Sequence, residues 1–158
     1  MSLAGAVRRR MYRSDRPSRV AAFLNRAERA LASAGLSPSR LVTLEVRGRR
    51  SGRLISLPVV VAEYQGERYL VAMLGEGANW VSNVRAAGGH AVLRHGRREA
   101  VRLNEVDPGA RAPILRQYLE VAPGARAHIP VDRHARLEEF ERIAARYPVF
   151  LVGADSPA

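Results

Sequence analysis

The chain contains no cysteine, which excludes disulfides, thiol nucleophiles, zinc fingers and iron–sulfur clusters together. It contains no lysine either. All 26 basic residues are arginine, so Schiff-base chemistry and a P-loop lysine are excluded as well. Aromatic residues make up only 6% of the chain, with a single tryptophan. No apolar run approaches the roughly 18 residues that a membrane-spanning helix requires. The opening MSLAGAVRRRMYR is not read as a secretory signal, because its charges follow the short apolar stretch and no apolar segment comes after them.

What is present is enough for a real core. An apolar fraction of 47% over 158 residues suits one domain of two packed layers. The net charge of +11 is unevenly placed: residues 1–55 hold 13 arginines against Asp15, Glu28 and Glu45, and the remainder holds 13 against 12 acids. A chain basic only at its front argues against specific nucleic-acid binding. It fits an anionic partner held by the first third, either a phosphate-bearing ligand or an anionic membrane surface. Residues 1–13 are expected to be a basic, flexible arm and residues 14–158 a single domain, with a cytoplasmic location and peripheral contact with the inner membrane face as an option.

The periodicity changes once. Val20, Phe23, Leu24, Ala27, Leu31 and Ala34 recur at helical spacing behind Ser14-Asp15-Arg16-Pro17, which predicts an amphipathic helix closed by Gly35 and Pro38. From residue 41 the pattern is β. Leu41 to Val46, Leu54 to Tyr64 with a bend at Pro58, Arg68 to Leu74, Ala91 to Leu93, Glu99 to Val106 and Pro148 to Val152 read as strands. Asn79 is expected to cap a short helix over Trp80 to Ala87, stopped by Gly88-Gly89. Further helices are expected from Asp107-Pro108 through Leu119 and over Leu137 to Ala145. Five or six strands at hairpin spacing, with helices inserted, predict an α+β fold in which a small antiparallel sheet curls into a barrel.

Most chemical constellations fail on spacing. Gly75-Glu76-Gly77-Ala78-Asn79-Trp80 lacks the third glycine of a dinucleotide fingerprint and sits outside a βαβ unit. Gly48 to Gly52 places its serine one position late for a nucleophile elbow. His90 and His95, five apart on a strand, point to opposite faces. His128 and His134 flank Asp132 without a helical i, i+4 pair, so no metal is expected. Glu138, Glu139 and Glu141 read as a solvated helix face. With no catalytic triad and no carboxylate pair, any enzymatic chemistry here requires a cofactor to supply the reactive atom.

Two segments stand out. Arg47-Gly48-Arg49-Arg50-Ser51-Gly52-Arg53 crowds four guanidinium groups and a hydroxyl onto one glycine-bounded hairpin tip, suited to phosphate or carboxylate. Gly75 to Arg85 is a glycine-rich loop entering a helix that carries Asn79, Trp80, Ser82 and Asn83. Trp80 fits two readings, an apolar wall for a flat ring or a core filler.

Taken together, the strand, Gly-Arg-Arg-Ser-Gly, the long strand with Pro58, and Asn79-Trp80-Val81-Ser82-Asn83 resemble the deazaflavin-dependent nitroreductase family of actinobacteria. The resemblance runs over about residues 38–121, with a weaker echo at Tyr147-Pro148-Val149-Phe150. It implies a split β-barrel of the flavin-reductase type and 8-hydroxy-5-deazaflavin, coenzyme F-420, as cofactor, with FMN as runner-up. It further implies that Arg49, Arg50, Ser51 and Gly52 hold the anionic side of the cofactor, and that Leu57, Pro58, Val59, Trp80 and Asn83 flank its ring. Members of that family tend to carry a lysine after the third strand, where this chain has Gly75 and Glu76. Tyr118 and Tyr147 are the candidate counterparts of C-terminal tyrosines that some members place near the substrate. The activity implied is hydride transfer to an electron-poor acceptor such as a quinone or nitroaromatic, with Ser82, Tyr118 or solvent as proton source. The alternatives are a non-catalytic split-barrel carrier of a flavin or other hydrophobic ligand, and a peripheral protein that binds anionic surfaces.

Overall fold

Alternation along one short strand sets the geometry of the whole sheet. In β1 (Leu41–Arg47), Leu44 and Val46 are buried on one face while Glu45 points to the other. The computed structural model describes residues 40–155; the predicted basic arm and the amphipathic helix over residues 20–34 lie outside the described residues. Seven antiparallel strands follow one another in the order β2-β1-β5-β6-β7-β4-β3. They are β1, β2 (Leu54–Val60), β3 (Ala62–Tyr64), β4 (Glu67–Val71), β5 (His90–His95), β6 (Arg97–Glu105) and β7 (Val149–Ala154).

The two edge strands of that order, β2 and β3, are consecutive in the chain, with only Val61 between them. One bent strand therefore pairs with β1 through its first half and with β4 through its second, and this curls the sheet into a barrel. The long strand expected over residues 54–64 is thus real but breaks at Val61, so six expected strands become seven. Pro58 does not cause the break. It pairs in register with Thr43, on a strand whose other side has no ladder partner, where a missing N–H costs little.

Among the described residues three α-helices accompany the sheet: α1 (Asn79–Ala86), α2 (Ala112–Val121) and α3 (Leu137–Ile143). Helix α1 joins the end of β4 to the start of β5, and its Ala78, Val81 and Val84 merge with Leu44, Val46, Leu70, Leu93, Val101, Leu103, Phe150 and Val152 in the barrel interior. It lies across the barrel mouth at which β1 and β4 end. Helices α2 and α3 pack on the outer face of β3, β4 and β7, burying Leu115, Leu119, Phe140, Ala62, Val71 and Val149 in a second cluster. Asn79 does not cap α1; the N-cap position is Ala78, which makes no side-chain bond, and Asn79 is the first helical residue. The expected stop at Gly88-Gly89 holds. Gly89 has φ of +86°, and a Cβ there would lie 2.5 Å from the Leu103 carbonyl oxygen of β6.

At Asp107 the chain first makes a 3-10 turn, with the carboxylate accepting from Gly109 N, and α2 proper begins at Ala112. Arg111 between them is 2% exposed. It donates to Val106 O, Ala144 O and Glu105 Oε2, so it fixes the end of β6 to the turn that precedes β7.

Candidate active site at the α1 end of the barrel

The arginine-rich tip is the β1–β2 turn. It closes through Gly48 N to Arg53 O (2.8 Å) and Gly52 N to Gly48 O (2.9 Å), with Gly52 at a φ of +67°. A Cβ on Gly48 would meet Ser51 Oγ at 2.8 Å and Ile55 Cδ1 at 2.9 Å, so a larger residue there would have to displace these two side-chain ends. Ser51 Oγ accepts from Arg53 N, and Arg47 Nη1 donates to Gly52 O. Part of the expected anion-binding group therefore also builds its own loop.

This loop is docked onto α1. Asn83, only 3% exposed, turns its Oδ1 to Arg49 and accepts both the backbone N–H at 3.0 Å and Nη1 at 2.9 Å. The two segments singled out in the sequence are thus joined through one side-chain oxygen. Its partner is neutral, so Arg49 keeps its charge. None of Arg47, Arg49, Arg50 or Arg53 forms an ion pair among the described residues.

Glu76, which stands near the lysine of the resembling family, faces away from this group. Arg85 holds it at 2.9 Å and holds Glu105 at 2.8 Å, and Glu105 in turn meets Arg111 at 3.1 Å. The hydrogen bonds from Arg85 keep both carboxyls below the usual carboxylate range. No feature of the sequence announced this chain of charges, because its members lie on four separate elements.

Trp80 is half-buried on the first turn of α1, its ring tilted 52° to that of Phe150 with centroids 5.5 Å apart. Leu57 and Val59 of β2 border the same apolar cluster. Pro58 points to the opposite face of β2. Ser82 is half-buried on α1 between Trp80 and Asn83. Tyr118 is not part of this group. It is buried in the α2 cluster, where burial pushes its phenol above the ordinary value. Tyr147 is buried in the same cluster and donates to His128 O at 3.2 Å. With His128, Arg146, Met73, Leu74 and Gly75 it lines a cleft of about 340 Å³ beside the loop that enters α1, a feature the sequence did not disclose.

A cofactor with an anionic tail and a flat ring fits these residues. The four exposed guanidinium groups, without an ion pair among the described residues, are free to hold an external anion. Beside them, half-buried indole, leucine and valine side chains offer apolar surface for the ring. The curled antiparallel sheet, the mouth helix and the cationic hairpin define an α+β barrel with one candidate cofactor-binding end.

Comparison with known proteins makes the assignment specific. Residues 18–134 match the model of the F420H(2)-dependent quinone reductase family, and the chain belongs to that family. It is therefore a reductase that uses reduced coenzyme F-420, of the kind that the resemblance in the sequence implied. No individual curated protein matches it significantly. Among solved structures, a protein of unknown function from Agrobacterium tumefaciens aligns with a TM-score of 0.54 at 11% identity, over 75% of this chain and 49% of that one. A structure described as a domain-swapped dimer aligns at 0.51 and 18% identity, over 82% and 96%. Another, described as an F420-H2 dependent reductase (FDR-A), gives 0.47 at 16% identity over 72% and 93%. The first two share the fold.

Proposed function

We propose that the arginine hairpin and the mouth helix together form the F-420 site of a quinone-type reductase. Arg50, Arg53 and the charge of Arg49 hold the anionic tail, with Ser51 and Gly52 shaping the turn. Trp80, Leu57 and Val59 shield one side of the ring, and the β2 backbone at Pro58 borders it. Asn83 serves the site by fixing Arg49 rather than by meeting the ring. When bound, the reduced coenzyme supplies a hydride from C5. The chain's own part is to fix the reacting faces and to exclude water, which needs no acid–base pair. Ser82, on the same helix as Trp80, is the hydroxyl placed to pass a proton from solvent, whereas Tyr118 is sequestered in the other cluster. The acceptor, a hydrophobic quinone or nitroaromatic, enters through the cleft bounded by Leu74, Arg146 and Tyr147.

The observation that carries this reading is the pair of bonds from Arg49 to buried Asn83. They hold a cluster of unneutralised cations against an apolar barrel mouth. Leu54, Ile55 and Leu74, the large apolar side chains most exposed to solvent among the described residues, lie at this same end. Their placement supports peripheral contact with an anionic membrane, from which a lipid-soluble acceptor would be delivered. No helix among the described residues is long and apolar enough to cross a membrane. We also retain residues 14–158 as one domain behind a basic arm. Titration of the purified protein with F-420 and, separately, FMN, followed by absorbance, tests the site. Saturable binding of F-420 with much weaker binding of FMN is expected, and a preference for FMN would refute the assignment.

A further inference from the structure

The cleft beside Leu74 has two walls drawn from distant parts of the chain. One is the loop that joins β4 to α1, with Met73, Leu74 and Gly75. The other is the 3-10 turn Ala144–Arg146 with Tyr147, which leads into β7. The backbone bond between them lies at the base, where Ala72 N donates to Pro148 O at 2.9 Å. Higher up the walls touch at Gly75, where a Cβ would lie 3.1 Å from Arg146 O. The turns from Gly75 N to Ala72 O and from Ala78 N to Gly75 O hold the loop to itself rather than to the other wall.

Charge spans the gap. Glu76 projects from the loop and accepts from Arg85 Nη1 at 2.9 Å and Nη2 at 3.1 Å. The same guanidinium gives Nε and Nη2 to the two oxygens of Glu105, both at 2.8 Å. Glu105 Oε2 also accepts from Arg111 Nη2 at 3.1 Å. Arg111 is buried, and its Nη1 reaches the second wall at Ala144 O (3.1 Å) and Tyr147 O (3.4 Å). Glu105 is therefore the junction, and as the last residue of β6, in register with Phe150, it stands on the barrel itself. An isolated surface ion pair contributes little. Here one carboxylate serves two guanidinium groups, and buried Arg111 has no other carboxylate partner among the described residues.

We propose that Glu105 is a positioning residue for the electron acceptor: through Arg85 and Arg111 it ties both walls of this cleft to the barrel and so sets how tightly the acceptor is held. The proposal rests on the reading of this cleft as the acceptor's entrance. Glu105 does not line the cleft, so it acts only through the two walls. With the walls untied, the acceptor must order them as it binds. That cost falls on ground and transition states alike, so KM rises while kcat changes little.

Hydrogen exchange of the full chain, without cofactor, reads the tie itself. Glu105→Gln should speed exchange of the bonded amides of Gly75 and Ala78 on one wall and of Tyr147 on the other by about fivefold or more, with the amides of β1 and β5 unchanged. Glu76→Gln leaves Glu105 joined to Arg111 and should speed exchange at Gly75 and Ala78 alone; it carries the test if Glu105→Gln does not fold. In turnover of menadione at saturating reduced F-420, Glu105→Gln should raise KM about tenfold and Glu76→Gln about threefold, with kcat within about twofold of wild type. Unchanged exchange at the walls, faster exchange on one wall only in Glu105→Gln, or a fall in kcat with KM unchanged would each overturn the proposal. Absence of turnover in the wild type would overturn the reductase reading and the acceptor with it, while exchange would still decide whether Glu105 ties the two walls.

Discussion

Replacing Asn83 by alanine removes a single oxygen that holds two donors of Arg49, at 3.0 and 2.9 Å. The bond from the backbone N–H is worth about 1 kcal/mol and the charge-assisted one about 1.5–3 kcal/mol. Because the two share one acceptor and one loop, their loss is less than additive, and we expect about 2–3 kcal/mol of lost stability. For a chain of this size that lowers Tm by roughly 5–10 °C. Freed from α1, the hairpin must also be ordered again on binding, so F-420 affinity should fall about tenfold or more. Asn83→Asp separates anchoring from charge. It keeps the acceptor and pairs Arg49, so Tm should hold close to wild type, but the new carboxylate neutralises one cation and F-420 affinity should still fall. Thermal unfolding followed by circular dichroism, together with F-420 titration, reads both effects. Wild-type Tm and affinity in Asn83→Ala would refute the argument.

Arg50→Ala combined with Arg53→Ala removes two cations that have no ion pair among the described residues. Stability should be unaffected, while F-420 binding should weaken by about 2–4 kcal/mol and lose much of its salt dependence, measured by titration at two ionic strengths. Trp80 fluorescence should quench on cofactor binding, and Trp80→Ala should lower turnover more than affinity in steady-state assays, since a misplacement of about an ångström can cost roughly a hundredfold. The carboxyls of Glu76 and Glu105 are depressed by Arg85, so the stabilisation they give is present above the unfolded carboxylate value of about 4.3 and lost as pH falls through the lower folded values. The acid limb of Tm against pH should therefore be steeper for wild type than for Arg85→Gln.

Much of this was legible in local pattern. Leu44 and Val46 alternate with Glu45, Gly88 and Gly89 end a helix through positive φ, and Gly96 turns a hairpin, because each signal depends on near neighbours. The break at Val61 was not legible. A bend that serves two different sheet neighbours is decided by closure of the barrel, and Pro58 was the more conspicuous residue. The misplaced cap at Asn79 has the same origin: the turn through Gly75 and Ala78 already directs the chain into α1, so no side-chain cap is required. The two candidate site segments stood out by composition, but their junction through Asn83 spans 34 residues and only the folded chain reveals it. Tyr118 illustrates the converse, a polar side chain whose helical stripe turns it into the core.

The central claim is catalytic, and turnover tests it most directly. Reduced F-420 mixed anaerobically with the purified chain and menadione should be reoxidised at a rate proportional to enzyme and dependent on acceptor, as followed by the return of the oxidised deazaflavin absorbance. Reduced FMN should support little or no turnover under the same conditions. Tight, saturable F-420 binding without acceptor-dependent reoxidation, across a panel of quinones and nitroaromatics, would contradict the account and leave a carrier in its place.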